Sequence, residues 1–241
     1  MSTETNKMIV KVWRGEKNSG VYETFSVPKQ ENQTVLDVVT WIQQNLDPNL
    51  SYRFACRVGM CGSCAMMVNN TPRWTCRTHV KKVLKGDTLE IAPLRNLPPI
   101  KDLVVDMDPF FDKWVAAGGH HAPSASRYDQ MPQIPSTEPE RAEANKAIEC
   151  INCAVCYAAC DTVTHNENYL GPAALQRAWT LVNDQKVKDR GAILDTISAK
   201  GGCHNCHSQG SCTLHCPNGL DPMRSIAGLK AESIKRSLKG N

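Results

Sequence analysis

Hydrophobic and polar positions follow two different periods in the first 50 residues. The segments MIVKVWR (8–14) and VYETFSV (21–27) are strand-like, and GEKNSG between them is typical of a hairpin turn. TVLDVVTWIQQNL (34–46) instead shows a helical period. Its apolar repeat consists of Val35, Val39, Ile42 and Leu46. Thr34 and Asp37 have the form of a capping box, which predicts the helix start.

Shorter strand signals follow this helix. CAMMV and WTC flank NNTP, which is a turn signal, and TLEIAPL resembles a last strand. A cysteine-rich loop, CRVGMCGSC, stands between the helix and these strands. The predicted order is two strands, a helix, a cysteine loop and further strands. This order indicates a small α+β domain.

The second half of the chain is predicted to be helical. Thr137 and Glu140 are placed to start a helix, and Pro172 stands at the first helical position before AALQRAWTLVN. DPMRSIAGLKAESIKRSLK predicts a long amphipathic final helix. The stretch between the halves becomes rich in Gly, Pro, Ala and Ser, as in a linker or an extended crossover. We therefore predict two domains, 1–105 and 106–241.

Composition places the chain among globular proteins. Of its 241 residues, 41% are hydrophobic and 22% are charged, and the net charge is +4. The charge is mild and no nucleic-acid recognition motif accompanies it, so a nucleic-acid partner is not expected. We expect no secretory signal, because the N-terminus lacks an apolar core, and no membrane span, because no run of about 18 apolar residues occurs.

Cysteine is the outlier, with 12 residues in three groups. In a reducing compartment, which the missing export signal favours, clustered cysteines are metal ligands more often than disulfides. A disulfide framework is the alternative. The three groups span residues 56–76, 150–160 and 203–216.

The first group has the spacing C-x4-C-x2-C followed by a fourth cysteine, which is typical of plant-type 2Fe-2S ferredoxins. Its members are Cys56, Cys61, Cys64 and Cys76. Gly59 and Gly62 allow the backbone to wrap a cluster and bring amide groups close to its sulfurs. The alternative is a zinc site, but zinc sites usually pair two C-x2-C knuckles.

The second group, CINCAVCYAAC, follows the bacterial ferredoxin spacing C-x2-C-x2-C-x3-C. In two-cluster ferredoxins the fourth cysteine of such a run serves the other cluster. The third group reads C-x2-Q-x2-C-x3-C-P in the same frame, with Gln209 in the place of the middle cysteine. Crossed pairing then predicts a 4Fe-4S cluster held by Cys150, Cys153, Cys156 and Cys216.

Three thiolates remain for the last centre, and three suit a 3Fe-4S cluster. They are Cys160, Cys206 and Cys212. Two alternatives stay open: an iron bound by the Gln209 oxygen or another ligand, and a 4Fe-4S cluster completed by Cys203. Otherwise Cys203 is a buried structural thiol.

The order of SYRFACRVGMCGSC, PPIKDLVVDMD, CINCAVCYAAC, GPAAL and CHSQGSCTLHCP resembles the iron–sulfur subunit of the succinate dehydrogenase/fumarate reductase family. The resemblance covers about residues 8 to 235. It implies a plant-type ferredoxin (β-grasp) domain followed by an all-helical, bacterial-ferredoxin-like domain. It further implies that electrons pass between a flavoprotein subunit with covalent FAD and a quinone, through the 2Fe-2S, 4Fe-4S and 3Fe-4S clusters in turn.

The same resemblance implies membrane anchor subunits, in some members haem-bearing, that hold the chain peripherally on the cytoplasmic face of the inner membrane. It also implies a quinone pocket beside the 3Fe-4S ligands, for which His207, Gln209 and His165 are the candidates. The loop after Cys160 lacks the tryptophan common in succinate dehydrogenases, which favours fumarate-reductase-like or menaquinone-linked members.

Two other functions compete with an electron-relay subunit. The chain contains no G-x-G-x-x-G and no nucleophile–base constellation, so no substrate site is expected on it alone. A soluble polyferredoxin-type carrier is one alternative. The other is the iron–sulfur subunit of a different membrane dehydrogenase, such as one for glycerol 3-phosphate or glycolate.

Overall fold

The structure is a computed structural model that describes residues 6–17, 19–130 and 132–239. The chain packs into two compact units. The first contains the residues up to 107 together with 153–158, and the second contains 108–152 and the residues from 159 onward. No helix among the described residues is long and apolar enough to cross a membrane.

The first unit is built on one mixed sheet. Its strands are β1 (Lys7–Glu16), β2 (Ser19–Pro28), β3 (Ala65–Val68), β4 (Thr71–Trp74), β5 (Thr88–Ala92), β6 (Pro99–Lys101) and β7 (Val104–Val105). The strand order is β4-β3-β5-β1-β6-β7, and β2 pairs with β1. The β1–β2 hairpin is antiparallel, whereas β1 and β5 are parallel. The strands β6 and β7 were not predicted, since they are too short to show a period.

The helix α1 (Val35–Asn45) covers this sheet. The predicted capping box is confirmed: the Asp37 amide donates to Thr34 Oγ1 at 3.2 Å, and the Thr34 amide donates to Asp37 Oδ2 at 2.9 Å. The apolar faces of α1 and β1 share one core. The buried side chains of that core include Met8, Val10, Val12, Val35, Val39 and Ile42. Each such residue stabilises the fold by roughly 1.5–3 kcal/mol.

The second unit is helical. Its helices are α3 (Asp108–Ala116), α4 (Pro139–Ile148), α6 (Asp161–His165), α7 (Pro172–Val182), α8 (Arg190–Ser198), α9 (Ser211–Leu214) and α10 (Pro222–Lys239). The remaining short helices, α2 (Val80–Val83) and α5 (Val155–Ala158), belong to the first unit. Pro172 opens α7 as predicted, with Gly171 as the N-cap. The start of α4 differs, because Glu138 is its N-cap and Thr137 lies outside it.

The segment predicted as a linker is more structured than expected. Its first half forms α3, which packs against α7. Its second half contains no helix among the described residues. That half is tied to the unit by the backbone pairing of Pro123 with Val187. Tertiary contacts therefore order residues whose composition resembles a linker.

Candidate metal centres

The first cysteine loop, residues 56–64, turns its backbone amides towards sulfur. The amides of Val58, Met60 and Cys61 lie 3.4, 3.2 and 3.3 Å from Cys56 Sγ. Successive N–H groups that converge in this way form an anion-binding concavity, which is found at many iron–sulfur sites. The loop therefore fits a group that is bound through thiolates and carries negative charge.

Left-handed backbone conformations produce this arrangement. Arg57, Gly59 and Gly62 have φ values of 60°, 77° and 71°. At Gly59 an added Cβ would lie 3.0 Å from Arg77 Cγ and 3.3 Å from the Trp74 ring. The glycine that the sequence singled out is therefore required both for its backbone conformation and for its close approach to a neighbour.

Gly59→Ala tests this requirement. We expect a destabilisation of about 1–3 kcal/mol from the left-handed conformation, with additional loss of the cluster because the neighbours must shift. Thermal loss of the visible circular dichroism of the 2Fe-2S centre in the purified protein measures the effect. Gly86→Ala is the matched control, since φ is also positive there (58°) but the added Cβ meets nothing within 4 Å. Equal losses in both variants would contradict the close-approach argument.

The thiols of the first group differ in their electrostatics. Backbone hydrogen bonding at Cys56 and the Ser63 hydroxyl lower the pKa of Cys61 to about 6. Burial raises the pKa of Cys76 to about 11, and the neighbouring Cys64 adds to the rise. All four cysteines of the group interact with at least one other member. The thiolate is the form of cysteine that binds a metal. The lowered pKa of Cys61 favours its thiolate before a metal binds, whereas the Cys76 thiolate needs the positive charge of a bound metal to stabilise it.

The second and third loops repeat one backbone conformation. Asn152 and Ala154 have φ values of 56° and 61°, and Ser208 and Gly210, at the corresponding positions, have 57° and 80°. In each loop a four-residue helix begins directly afterwards, α5 in one and α9 in the other. The two loops can therefore be compared residue by residue. In that comparison Gln209 occupies the backbone position of Cys153.

Hydrogen bonds to sulfur also recur in these loops. The Ser208 amide donates to Cys206 Sγ at 3.3 Å, and the Asn152 backbone donates to the Cys150 sulfur. The second and third loops thus share one amide–sulfur hydrogen bond at corresponding positions.

Three cysteines of the second unit line one small, partly open cavity of about 20 Å³. They are Cys160, Cys206 and Cys212. Burial raises the pKa of Cys212 to about 11, and the other two thiols add to the rise. Of the quinone candidates, His207 and Gln209 also line this cavity, whereas His165 does not.

Tyr169 is a residue of this cavity that sequence analysis missed. Its side chain is buried, and burial together with the Cys206 and Cys160 thiols raises its pKa above the ordinary range. The phenol therefore stays protonated and donates its hydrogen to the Cys206 sulfur. A tyrosine directly before the Leu-Gly-Pro start of α7 gives no such signal in the sequence.

Cys216 belongs to different surroundings from Cys212, although they are four residues apart. Cys216 does not line the cavity. It lies close enough to Cys150 for the two thiolates to repel each other. Burial is the main reason for the raised pKa of Cys150.

Cys153 and Cys156 are carried by the segment 153–158 of the first unit. Asn96 Nδ2 donates to the Tyr157 carbonyl at 2.9 Å, and Arg95 Nε donates to the Ala158 carbonyl at 3.0 Å. These two polar side chains hold the segment, and sequence analysis did not identify them.

Cys203 and Lys230 lie behind the third loop. Cys203 is fully buried and does not line the cavity, as expected of a structural thiol. Lys230 Nζ donates to the Cys206 carbonyl at 2.7 Å, which places a positive charge beside the loop. No three His, Cys, Asp or Glu side chains in the described part of the chain are grouped to hold a single metal ion.

Two protein-family models match the chain. A 2Fe-2S iron-sulfur cluster binding domain matches residues 8–112, and a 4Fe-4S dicluster domain matches residues 149–221. Together they cover all three cysteine groups. The chain therefore carries iron–sulfur cluster domains of both types, and the zinc and disulfide alternatives are set aside.

Curated relatives cover most of the chain. The fumarate reductase iron-sulfur subunit of Mycobacterium tuberculosis is 34% identical over 96% of this chain and 94% of its own length. That of Escherichia coli O6:H1 is 34% identical over 88% of this chain and 85% of its own. The mitochondrial succinate dehydrogenase [ubiquinone] iron-sulfur subunit 1 of Oryza sativa subsp. japonica is 37% identical over 81% of this chain and 69% of its own.

A solved structure shows the same fold. A chain of the Mycobacterium smegmatis Sdh1 complex in the apo form superposes with a TM-score of 0.85 at 24% identity, over 96% of this chain and 97% of that one. This agreement confirms the predicted α+β class, with a ferredoxin-like domain at the N-terminus and a helical domain after it. The relatives, together with the cysteine loops and the domain order, show that the chain belongs to the family of iron–sulfur subunits of succinate dehydrogenase and fumarate reductase.

Proposed function

We propose that this chain is the electron-relay subunit of a succinate:quinone or quinol:fumarate oxidoreductase, passing single electrons between a flavoprotein subunit and a membrane quinone site. The observation that carries the proposal is the presence, in one chain of this family, of three cysteine loops, in each of which a backbone amide donates to a cysteine sulfur. Such hydrogen bonds to sulfur are typical of iron–sulfur sites, and three centres suit a relay.

Each centre is assigned its own ligands. Cys56, Cys61, Cys64 and Cys76 hold the 2Fe-2S cluster. Cys150, Cys153, Cys156 and Cys216 hold the 4Fe-4S cluster, and Cys160, Cys206 and Cys212 hold the 3Fe-4S cluster. The shared cavity of the last three and the mutual repulsion of Cys150 and Cys216 support this crossed assignment.

The chain's own residues hold the clusters and set their surroundings. When bound, iron–sulfur clusters accept and donate single electrons at potentials that depend on ligands, hydrogen bonds and burial. Three backbone amides at Cys56, and one each at Cys150 and Cys206, stabilise negative charge on the sulfurs. Tyr169 and Lys230 add a hydrogen bond and a positive charge at the third centre. These groups favour the reduced, more negative state of each centre.

The partners follow from the relatives and from exposed groups beside the centres. Val58 and Met60 expose 59% and 71% of their surface on the first cysteine loop, and a flavoprotein subunit carrying FAD would cover them. His207 and Gln209 are exposed on the third loop. Their ring and amide groups are suited to bind quinone carbonyls at the junction with membrane anchor subunits. We place the chain on the cytoplasmic face of the inner membrane.

Purification from membranes tests the proposal. We expect the chain to co-purify with a flavoprotein, and the complex to oxidise succinate and reduce fumarate with ubiquinone or menaquinone analogues. Cys206→Ser is expected to abolish the quinone-linked activity and to leave succinate oxidation by a flavin-directed dye. Recovery of the chain alone from the soluble fraction, with all its clusters, would instead indicate a free electron carrier.

A further inference from the structure

The hydroxyl of Ser63 lies against a cysteine sulfur of the first loop. Ser63 Oγ and Cys61 Sγ are 3.0 Å apart, which is within hydrogen-bond distance. In the free thiol either atom can be the donor. A cysteine that binds a metal does so as the thiolate and has no proton on its sulfur, so the hydroxyl then donates and the sulfur accepts. The contact is therefore a direct side-chain hydrogen bond to a residue assigned as a ligand.

A turn of the backbone holds the hydroxyl beside this sulfur. The Ala65 amide donates to the Gly62 carbonyl at 3.1 Å, which closes a four-residue turn that contains Ser63. The turn leads into β3, whose four residues are all buried, so the end of the turn is anchored in the sheet. Serine has a single torsion between its backbone and its oxygen, so fixing the side chain costs little conformational entropy. The position of the hydroxyl is thus determined by the backbone of the cysteine loop.

Two other hydroxyl groups near the first cysteine group donate to the backbone instead. Thr75 Oγ1 donates to the Cys64 carbonyl at 2.8 Å, and Thr78 Oγ1 donates to the Trp74 carbonyl at 2.7 Å. These two bonds support the fold around the loop. Ser63 differs from both threonines because its oxygen contacts sulfur, which is the atom that binds iron and shares the charge of a cluster.

The electrostatics of Cys61 agree with this geometry. Backbone hydrogen bonding at Cys56 is the largest cause of the lowered pKa of Cys61, and the Ser63 hydroxyl is the next. A donor that lowers the pKa of a thiol stabilises negative charge on its sulfur. The same donor stabilises the negative charge of a bound cluster, because the ligand sulfur carries part of that charge.

We propose that the Ser63 hydroxyl raises the reduction potential of the 2Fe-2S centre, an inference that rests on the proposed role of Cys61 as a ligand of that centre. Reduction adds one electron to the centre, while no bond of Ser63 breaks and its proton stays on the oxygen. The added negative charge strengthens the hydrogen bond, so the reduced state is stabilised more than the oxidised state. Ser63 therefore makes this centre a better acceptor of the electron that the flavoprotein supplies, and it acts through the ligand rather than on a substrate.

A redox titration of the purified complex, followed by EPR of the reduced 2Fe-2S centre, tests the inference. At a fixed potential, Ser63→Ala should lower the ratio of reduced to oxidised centre by about threefold to tenfold. A tenfold change is a shift of about 59 mV to a more negative potential for a one-electron couple. Ser63→Thr keeps the hydroxyl and should stay near the unmodified value, and the other two centres should not change in either variant. An unchanged potential in Ser63→Ala, or an equal shift in Ser63→Thr, would overturn the inference.

Thr78→Val is the matched control. It also removes a hydroxyl close to the first cysteine group, two residues after Cys76, but that hydroxyl is bonded to a carbonyl rather than to sulfur. The 2Fe-2S potential of this variant should stay at the unmodified value. A shift equal to that of Ser63→Ala would show that any loss of a hydroxyl near the loop has the same effect, and the inference would fail.

Iron and sulfide content separates this role from a purely structural one. Ser63→Ala should keep both at the unmodified level, because the four thiolates and the backbone amides of the loop remain. Loss of the 2Fe-2S centre from this variant would overturn the inference, since Ser63 would then be needed to hold the cluster. Failure of the proposed function is distinguishable, because the unmodified chain would then purify without a flavoprotein. The same titration of its 2Fe-2S centre would still test Ser63.

Discussion

Replacing Gln209 with cysteine is expected to convert the third centre from 3Fe-4S to 4Fe-4S. Gln209 has the backbone position that Cys153 has in the second loop, including left-handed residues on either side of it. A thiolate introduced there would occupy the same backbone position as its counterpart and complete a set of four sulfur ligands. The change needs no rearrangement of the loop, because both loops already adopt one conformation.

EPR of the oxidised complex measures the conversion. An oxidised 3Fe-4S cluster is paramagnetic, whereas an oxidised low-potential 4Fe-4S cluster is silent, so the signal of the third centre should be almost completely lost. Iron content should rise by about one per chain. Gln209→Ala is the control and should keep the signal, as it adds no ligand. Loss of the signal in Gln209→Ala, or a cysteine variant that keeps it, would show that Gln209 is not in the place of a missing ligand.

Replacing Cys216 with serine is expected to destroy the 4Fe-4S centre, although Cys216 follows Cys156 by about 60 residues. Cys216 lies beside Cys150 and does not line the cavity of Cys160, Cys206 and Cys212. Removing one of four thiolates leaves an iron without its sulfur ligand, so we expect loss of the reduced-state EPR signal of that centre. The oxidised signal of the third centre should persist.

Cys203→Ser is the matched control for this experiment. Cys203 is also a cysteine of the third group, but it is fully buried and does not line the cavity. Its replacement should leave all three cluster signals in place, with a modest loss of stability. If Cys216→Ser removed only the third signal, the crossed assignment would be wrong. If Cys203→Ser removed the signal of the third centre, Cys203 would be a ligand of that centre.

Local patterns predicted most of the fold. The hairpin, the capping box of α1, the Pro172 start of α7 and the final helix are all set by residues close together in sequence, and all are present. The elements that sequence analysis did not predict lie where local signals are weak. The strands β6 and β7 have three and two residues, and α3 lies in a stretch with a linker-like second half.

The candidate metal centres also have a part that was predictable from local sequence and a part that was not. Cysteine spacing was enough to predict three groups and the loops that present them, because the number of residues between ligands limits the shape of a loop. The polar groups around the loops were not predictable. Tyr169 lies in the loop before α7 and Lys230 lies in α10, and no spacing rule connects them to the cysteines.

Thiolate number, glycine positions and the glutamine at position 209 were predictable from three short runs of the chain, since they are local properties of those runs. Which of these runs share surroundings is visible only in the folded chain. Cys160 lies with Cys206 and Cys212, and Cys216 lies beside Cys150. Helix packing brings together residues far apart along the chain, and such contacts leave no periodic trace in the sequence.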